Sequence, residues 1–190
     1  MLASITPLGE RGRHSRWGFT VGAFLVGATA AGVGAGAVLG MLGSVAVAPH
    51  GTVAVLLVAI AVAVVLDGLP HAVPGPRRQV DERWLDQYRG WVYGAGYGAQ
   101  LGLGVTTIVS SAATYVALLA AFLTANALAG AIVLGCFGAV RGVTPLAAAG
   151  VRNQRQLLEF HRALARWRAP ARWGVVAAQA GMLALALVLS

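Results

Sequence analysis

Hydrophobic positions run almost unbroken through five stretches of the chain, and polar positions collect between them. The stretches are residues 17–43, 52–69, 101–122, 127–148 and 173–190. At ~1.5 Å of helical rise per residue the first reaches ~40 Å and the last ~27 Å, against a hydrocarbon core of ~30 Å. Each is therefore read as a transmembrane helix, and the fold class as an all-α integral membrane protein of about five spans. The third stretch belongs to a longer apolar segment that begins near Tyr93. Its glycine-rich start, Gly94, Gly96, Gly98, Gly102 and Gly104, is placed partly in the membrane interface. Pro145 interrupts the fourth stretch near its end, and three prolines in "PHAVPGPRRQ" rule out one continuous helix after the second.

Two polar segments keep a helical period of their own. Val80, Trp84, Tyr88 and Trp91 recur every three or four residues opposite Asp81, Glu82, Arg83, Asp86 and Arg89. Leu157, His161, Leu164 and Trp167 do the same opposite Arg155, Glu159, Arg162 and Arg166. Residues 79–92 and 151–168 are thus expected as cytoplasmic amphipathic helices at an anionic inner leaflet, or as helices extended into the cytosol. The chain is one membrane domain, 1–190. Residues 19–70 and 97–145 share a design, two apolar runs closing on "LDGLP" and "VRGVTP". Aligned in the same orientation, they suggest a parallel repeat of two helical hairpins.

Charge then orients the pattern. All 14 basic residues are arginines, in blocks at 11–16, 77–89 and 141–172. The connections 44–51 and 124–126 carry none. The positive-inside rule places the three blocks on the cytoplasmic side, the N-terminus inside and the C-terminus outside. The first stretch, preceded by arginines and followed by "AVA" near Ala48, resembles a signal peptide but is too long for one, and is read as a retained anchor. Lysine-free, alanine- and glycine-rich composition suggests a bacterial cytoplasmic membrane.

Only 11% of residues are charged, against about 25% in soluble domains. The net charge of +8 would suggest nucleic acid in a soluble protein, but here it belongs to membrane-flanking loops, so no nucleic-acid partner is expected. Cys136 is the single cysteine, which excludes an intramolecular disulfide. His14, His50, His71 and His161 lack metal-ligand spacing. Nucleotide-loop, serine-hydrolase, zinc-protease and dithiol motifs are absent. The sequence therefore gives no reason to expect an enzyme, a cofactor or a metal.

Three features remain as candidate chemistry. Thr106, Ser110 and Thr114, with Thr107 and Ser111 beside them, form a hydroxyl row on the third stretch. Such a row lines a solute pathway or packs helices together. Gly32, Gly36 and Gly40, and Gly138 with Gly142, make small-residue rows for tight helix packing, within the chain or with a second membrane chain. Asp67 and Arg141 are the charges closest to the hydrocarbon and are expected to pair between the second and fourth spans. The runs "YGAQLGLGVTT" and "FGAVRGVTP" resemble small bacterial polytopic transporters, the thiol-electron carriers of cytochrome c biogenesis and the LysE-type exporters. The electron carriers use two membrane cysteines, so the resemblance implies transport without their redox chemistry. Two functions follow as expectations: a small-solute permease or exporter, or a non-catalytic membrane subunit or assembly factor.

Overall fold

The computed structural model describes residues 5–47, 51–69, 73–75, 83–106 and 109–189. A short helix α1, Pro7–Gly12, precedes the long α2, Trp17–Ala46. Then follow α3, Thr52–Gly68, a single turn α4, Trp84–Gln87, α5, Gly90–Gly102, and α6, Ala113–Leu123. Helix α7, Ala127–Gly142, continues into a 3₁₀ turn, Thr144–Ala148, and α8, Gln154–Leu189, closes the chain. The fold is all-helical, with no strand among the described residues. Three helical stretches are long and apolar enough to cross a membrane: Trp17–Ala46, Ala127–Ala148 and Gln154–Val188. Thr52–Gly68 and Ala113–Leu123 are shorter apolar helices.

Helix α2 is the hub, packed along its length against α5, α7 and α6, while α3 packs on α6 and α8. Glycines decide these pairings. A β-carbon at Gly32, Gly36 or Gly40 would fall closer than 3.0 Å to the carbonyl oxygens of Leu134, Gly130 and Asn126 on the α7 side. Gly138 would clash in the same way with the Ala28 carbonyl, and Gly142 with the Leu25 side chain. A second row, Gly94, Gly98 and Gly102 of α5, meets the carbonyls of Thr20, Phe24 and Ala28. The helices thus touch backbone to backbone, where lipid supplies no hydrophobic drive and van der Waals contact is the main attraction left. The matched positions rise together between α2 and α5, so those two run parallel; they run in opposite senses between α2 and α7.

Local signals set the boundaries. Gly51, at φ +91°, opens α3. The Asn126 carboxamide accepts from the Ala129 amide at 3.0 Å to start α7 after a three-residue turn. At α8 the Asn153 side chain accepts from the Gln156 amide, and Gln156 accepts in return from the Arg152 amide, a reciprocal cap. Trp84 of α4 stacks on Tyr97 of α5 at 6.1 Å between centroids, over Gly96, where a β-carbon would strike the indole.

The structure differs from the sequence reading in several places. The third apolar stretch is broken: α5 ends at Gly102 and α6 begins at Ala113. Gly104 takes φ +79°, and the β-branched run that follows it favours helix poorly. The second amphipathic segment and the last apolar stretch are joined in one helix, Gln154–Leu189, that runs through Pro170. Segment 79–92 is described only from Arg83, as α4 and the start of α5. Finally, α2 and α3 do not form a packed hairpin as α6 and α7 do, so the expected parallel repeat is not seen in the packing.

The α2–α7 seam gives a matched test. Gly36→Leu should destabilise the protein by about 1–3 kcal/mol or more, the usual penalty of overpacking. Gly34→Leu, at an exposed position where a β-carbon meets nothing within 4 Å, should change little. Unfolding of both variants in detergent, followed by circular dichroism, measures this; equal losses would mean that the seam is not where the bundle is held.

Candidate functional site

The chain has six carboxylate side chains, and among the described residues Glu10 and Asp67 are buried, in separate clusters. Asp67 stands one residue before the end of α3 and is 5% exposed. Its Oδ1 accepts the Ala112 amide at 2.8 Å, and its Oδ2 accepts the Ser111 hydroxyl at 2.7 Å and the Gln179 carboxamide of α8 at 3.0 Å. Ser111 Oγ also accepts the Ala113 amide at 3.1 Å. A carboxylate from one helix thus caps the N-terminus of another. These bonds satisfy amide and hydroxyl donors at the start of α6 that the helix itself leaves without an acceptor.

The break that Asp67 caps lies beside the middle of α2. Gly102, at the end of α5, lies against Ala28, and Phe122, near the end of α6, lies against Gly43. Between those levels the chain leaves the helix, and Thr106 donates its hydroxyl to the Gln100 carbonyl at 2.5 Å. Gln179 is itself 7% exposed, and its Oε1 finds no donor among the described residues. Arg172, below it on α8, donates to the Gly68 carbonyl at 3.5 Å, a cation at the C-terminal end of α3.

The expected ion pair between Asp67 and Arg141 does not form. Arg141 lies over the Phe137 ring one turn earlier on α7, at 5.2 Å to the centroid, and the helices that carry the two charges are not packed neighbours. The hydroxyl row is also not a helix face, because its middle lies in the break. Ser111 and Thr114 point into the structure, Thr114 against Gly104, whereas Ser110 is exposed and Thr106 turns back on α5. Thr107 lies outside the described residues. Gly32, Gly36, Gly40, Gly138 and Gly142 all sit in the α2–α7 seam. Cys136 is exposed on α7, and no group of three His, Cys, Asp or Glu able to hold a metal ion occurs among the described residues.

The second cluster was not anticipated from the sequence. Glu10 of α1 is fully buried. Its Oε1 accepts the Tyr93 hydroxyl of α5 at 2.5 Å, and its Oε2 accepts the Thr20 hydroxyl of α2 at 2.7 Å. The Arg13 guanidinium stands 3.6 Å away and over the Tyr93 ring. Three helices are thereby tied at one end of the bundle, next to the apolar cluster of Ile5, Val21, Phe24, Tyr93 and Tyr97. In sequence Glu10 is one acid beside an arginine block; the only local sign of its role is a helix start at Thr6-Pro7, where Thr6 Oγ1 accepts the Gly9 amide.

Comparison with known protein families, curated proteins and solved structures gives no match for this chain. The class that the fold defines is therefore the coarse one: an all-helical protein with three helices compatible with membrane insertion.

Both clusters are testable by stability. Asp67→Ala strips a cap and leaves buried donors on three groups, so it should cost about 2–4 kcal/mol, with Asp67→Asn in between. Glu10→Ala should cost a similar amount, and Tyr93→Phe should add almost nothing in the Glu10→Ala background, because the two changes delete one interaction. Denaturant titration in detergent reads these losses; full additivity of Glu10→Ala and Tyr93→Phe would dissolve the second cluster as a unit.

Proposed function

We propose that the chain is a permease or exporter of a small polar solute, with α2, α3, the broken α5–α6 pair, α7 and the second half of α8 as five crossings of a bacterial cytoplasmic membrane. The three arginine blocks support an N-terminus inside and a C-terminus outside. The observation that carries the reading is Asp67. It is a buried carboxylate at the break between α5 and α6, which lies at the level of the middle of α2. Ionisable groups at such depth are costly and mark solute or ion paths. Discontinuous helices whose ends point at a midplane site are a recurring device of transporters. Gln179 Oε1 adds a buried acceptor with no donor among the described residues, and Ser110 adds an exposed hydroxyl at the break.

A second reading, a non-catalytic subunit or assembly factor, has its own support. Helix α8 packs mainly on α3 and is exposed along most of its length, including Met182, Leu185, Leu187 and Val188. A partner helix or a second copy would cover that face as lipid does.

Water access at the break separates the two. In a Cys136→Ala background, Ser110→Cys and Thr114→Cys are exposed to a charged, membrane-impermeant methanethiosulfonate in intact vesicles, with lipid-facing Val58→Cys as reference. A permease predicts labelling of the two break positions about tenfold or more faster than Val58→Cys, as expected of a water-filled path. Labelling of none of the three means a dry bundle, and favours the subunit.

A further inference from the structure

A second feature lies at the opposite end of α5 from the break. Helices α2 and α5 run side by side and parallel, so both N-termini open on one cleft of about 610 Å³. Arg13, Arg16 and Arg89 line it, with His14 and Ser15. The described lining carries no carboxylate, and Glu10, the acid nearest in sequence to Arg13, is engaged by Tyr93, Thr20 and Arg13. Neither helix start, at Arg16 or Arg89, carries a side-chain cap, which leaves both dipole ends directed at the cleft. The cleft therefore suits an anion, and guanidinium forks suit phosphate oxygens in particular.

The cleft does not end in solvent. It shares Phe19 and Trp91 with an apolar groove of about 510 Å³ that continues along the α2–α5 seam past Gly22, Ala23 and Val26 to Ala95. Gly18 and Gly22 keep the groove open, since a β-carbon at either meets nothing within 4 Å. Phe19 and Trp91 are both more than half exposed at its mouth. An arginine-lined head and an apolar tail in one continuous channel match an amphiphile with an anionic head, and a free phosphate would leave the groove unused.

We propose that this channel is a binding site for one anionic phospholipid, its phosphate held by Arg16 and Arg89 and an acyl chain laid against Gly22 and Ala95. The site rests on membrane embedding and is independent of transport. Arg16 and Arg89 are exposed, and so supply charge without holding the fold. Arg13 belongs to the Glu10 cluster and fixes the cleft wall.

Native mass spectrometry of the full chain, released from detergent with phosphatidylglycerol or phosphatidylcholine of equal chain length, tests the site. Wild type should retain phosphatidylglycerol about tenfold over phosphatidylcholine, the scale expected for two arginines at a lipid phosphate. The Arg16→Gln, Arg89→Gln double variant should lose that preference. Gly22→Leu, which fills the groove, should lose long-chain phosphatidylglycerol while still binding glycerol 3-phosphate. Equal retention of the two lipids by wild type overturns the proposal without needing either variant to fold. So does a preference unchanged in both variants. Displacement of phosphatidylglycerol by inorganic phosphate to the same extent in wild type and Gly22→Leu would assign the cleft to a soluble phosphate, and overturns it too.

Discussion

The approach of helix backbones across glycine rows is the contact on which this structure depends. In lipid, burying a leucine between two helices gains little over leaving it among acyl chains, so association needs dense van der Waals contact. Helix α2 obtains it twice, from α5 between Thr20 and Ala28 and from α7 between Leu25 and Gly40. The two partners run in opposite senses, and between them they occupy most of one side of a 30-residue helix. The bulky residues of α2 that miss these seams, Val26, Val33, Val38 and Met41 among them, are left exposed, the surface expected of a helix that faces acyl chains.

That arrangement explains why the third apolar segment is broken. An unbroken helix would have to follow one path across the bundle, yet α5 lies against the start of α2 while α6 lies near its end and also contacts α3 and α7. The change of path needs non-helical backbone, and polar backbone inside a bundle must be satisfied locally. Gly104 supplies the turn, and Thr106, Ser111 and Asp67 supply the bonds. Asp67 is thus a structural requirement of the break: an amide, a hydroxyl and a carboxamide together fix the orientation of its carboxylate.

How much of this was legible in the sequence depends on the range of the interaction. The small-residue rows are spaced by four, a period that a helix turns into a face, and the structure puts Gly32, Gly36 and Gly40 on one seam. The hydroxyl row has the same spacing, but period alone does not establish that the segment is helical, and Gly104 with its β-branched neighbours outweighed it. The partners of Asp67 lie 45 and 112 residues away in the chain, at Ala112 and Gln179. Pairing it with Arg141 rested on the two being the charges closest to the hydrocarbon, whereas α3 packs on α6 and α8. Glu10 was hidden for a related reason: a lone acid within an arginine block looks solvated until a tyrosine 83 residues further on is seen to bind it.

The two buried acids and the arginines divide the work between them. Besides Arg13, Arg155 is ion-paired, on an exposed helix surface with Glu159, where such a pair contributes little. Glu10 and Asp67 instead take most of their bonds from hydroxyl, amide and carboxamide donors, which orient a carboxylate without neutralising it. A bundle wired through arginine–carboxylate pairs would hold its acids with fixed counter-charges of low mobility. In this chain the two buried acids are joined mainly to neutral donors, so the helices that meet at them are held by directed hydrogen bonds more than by charge pairs.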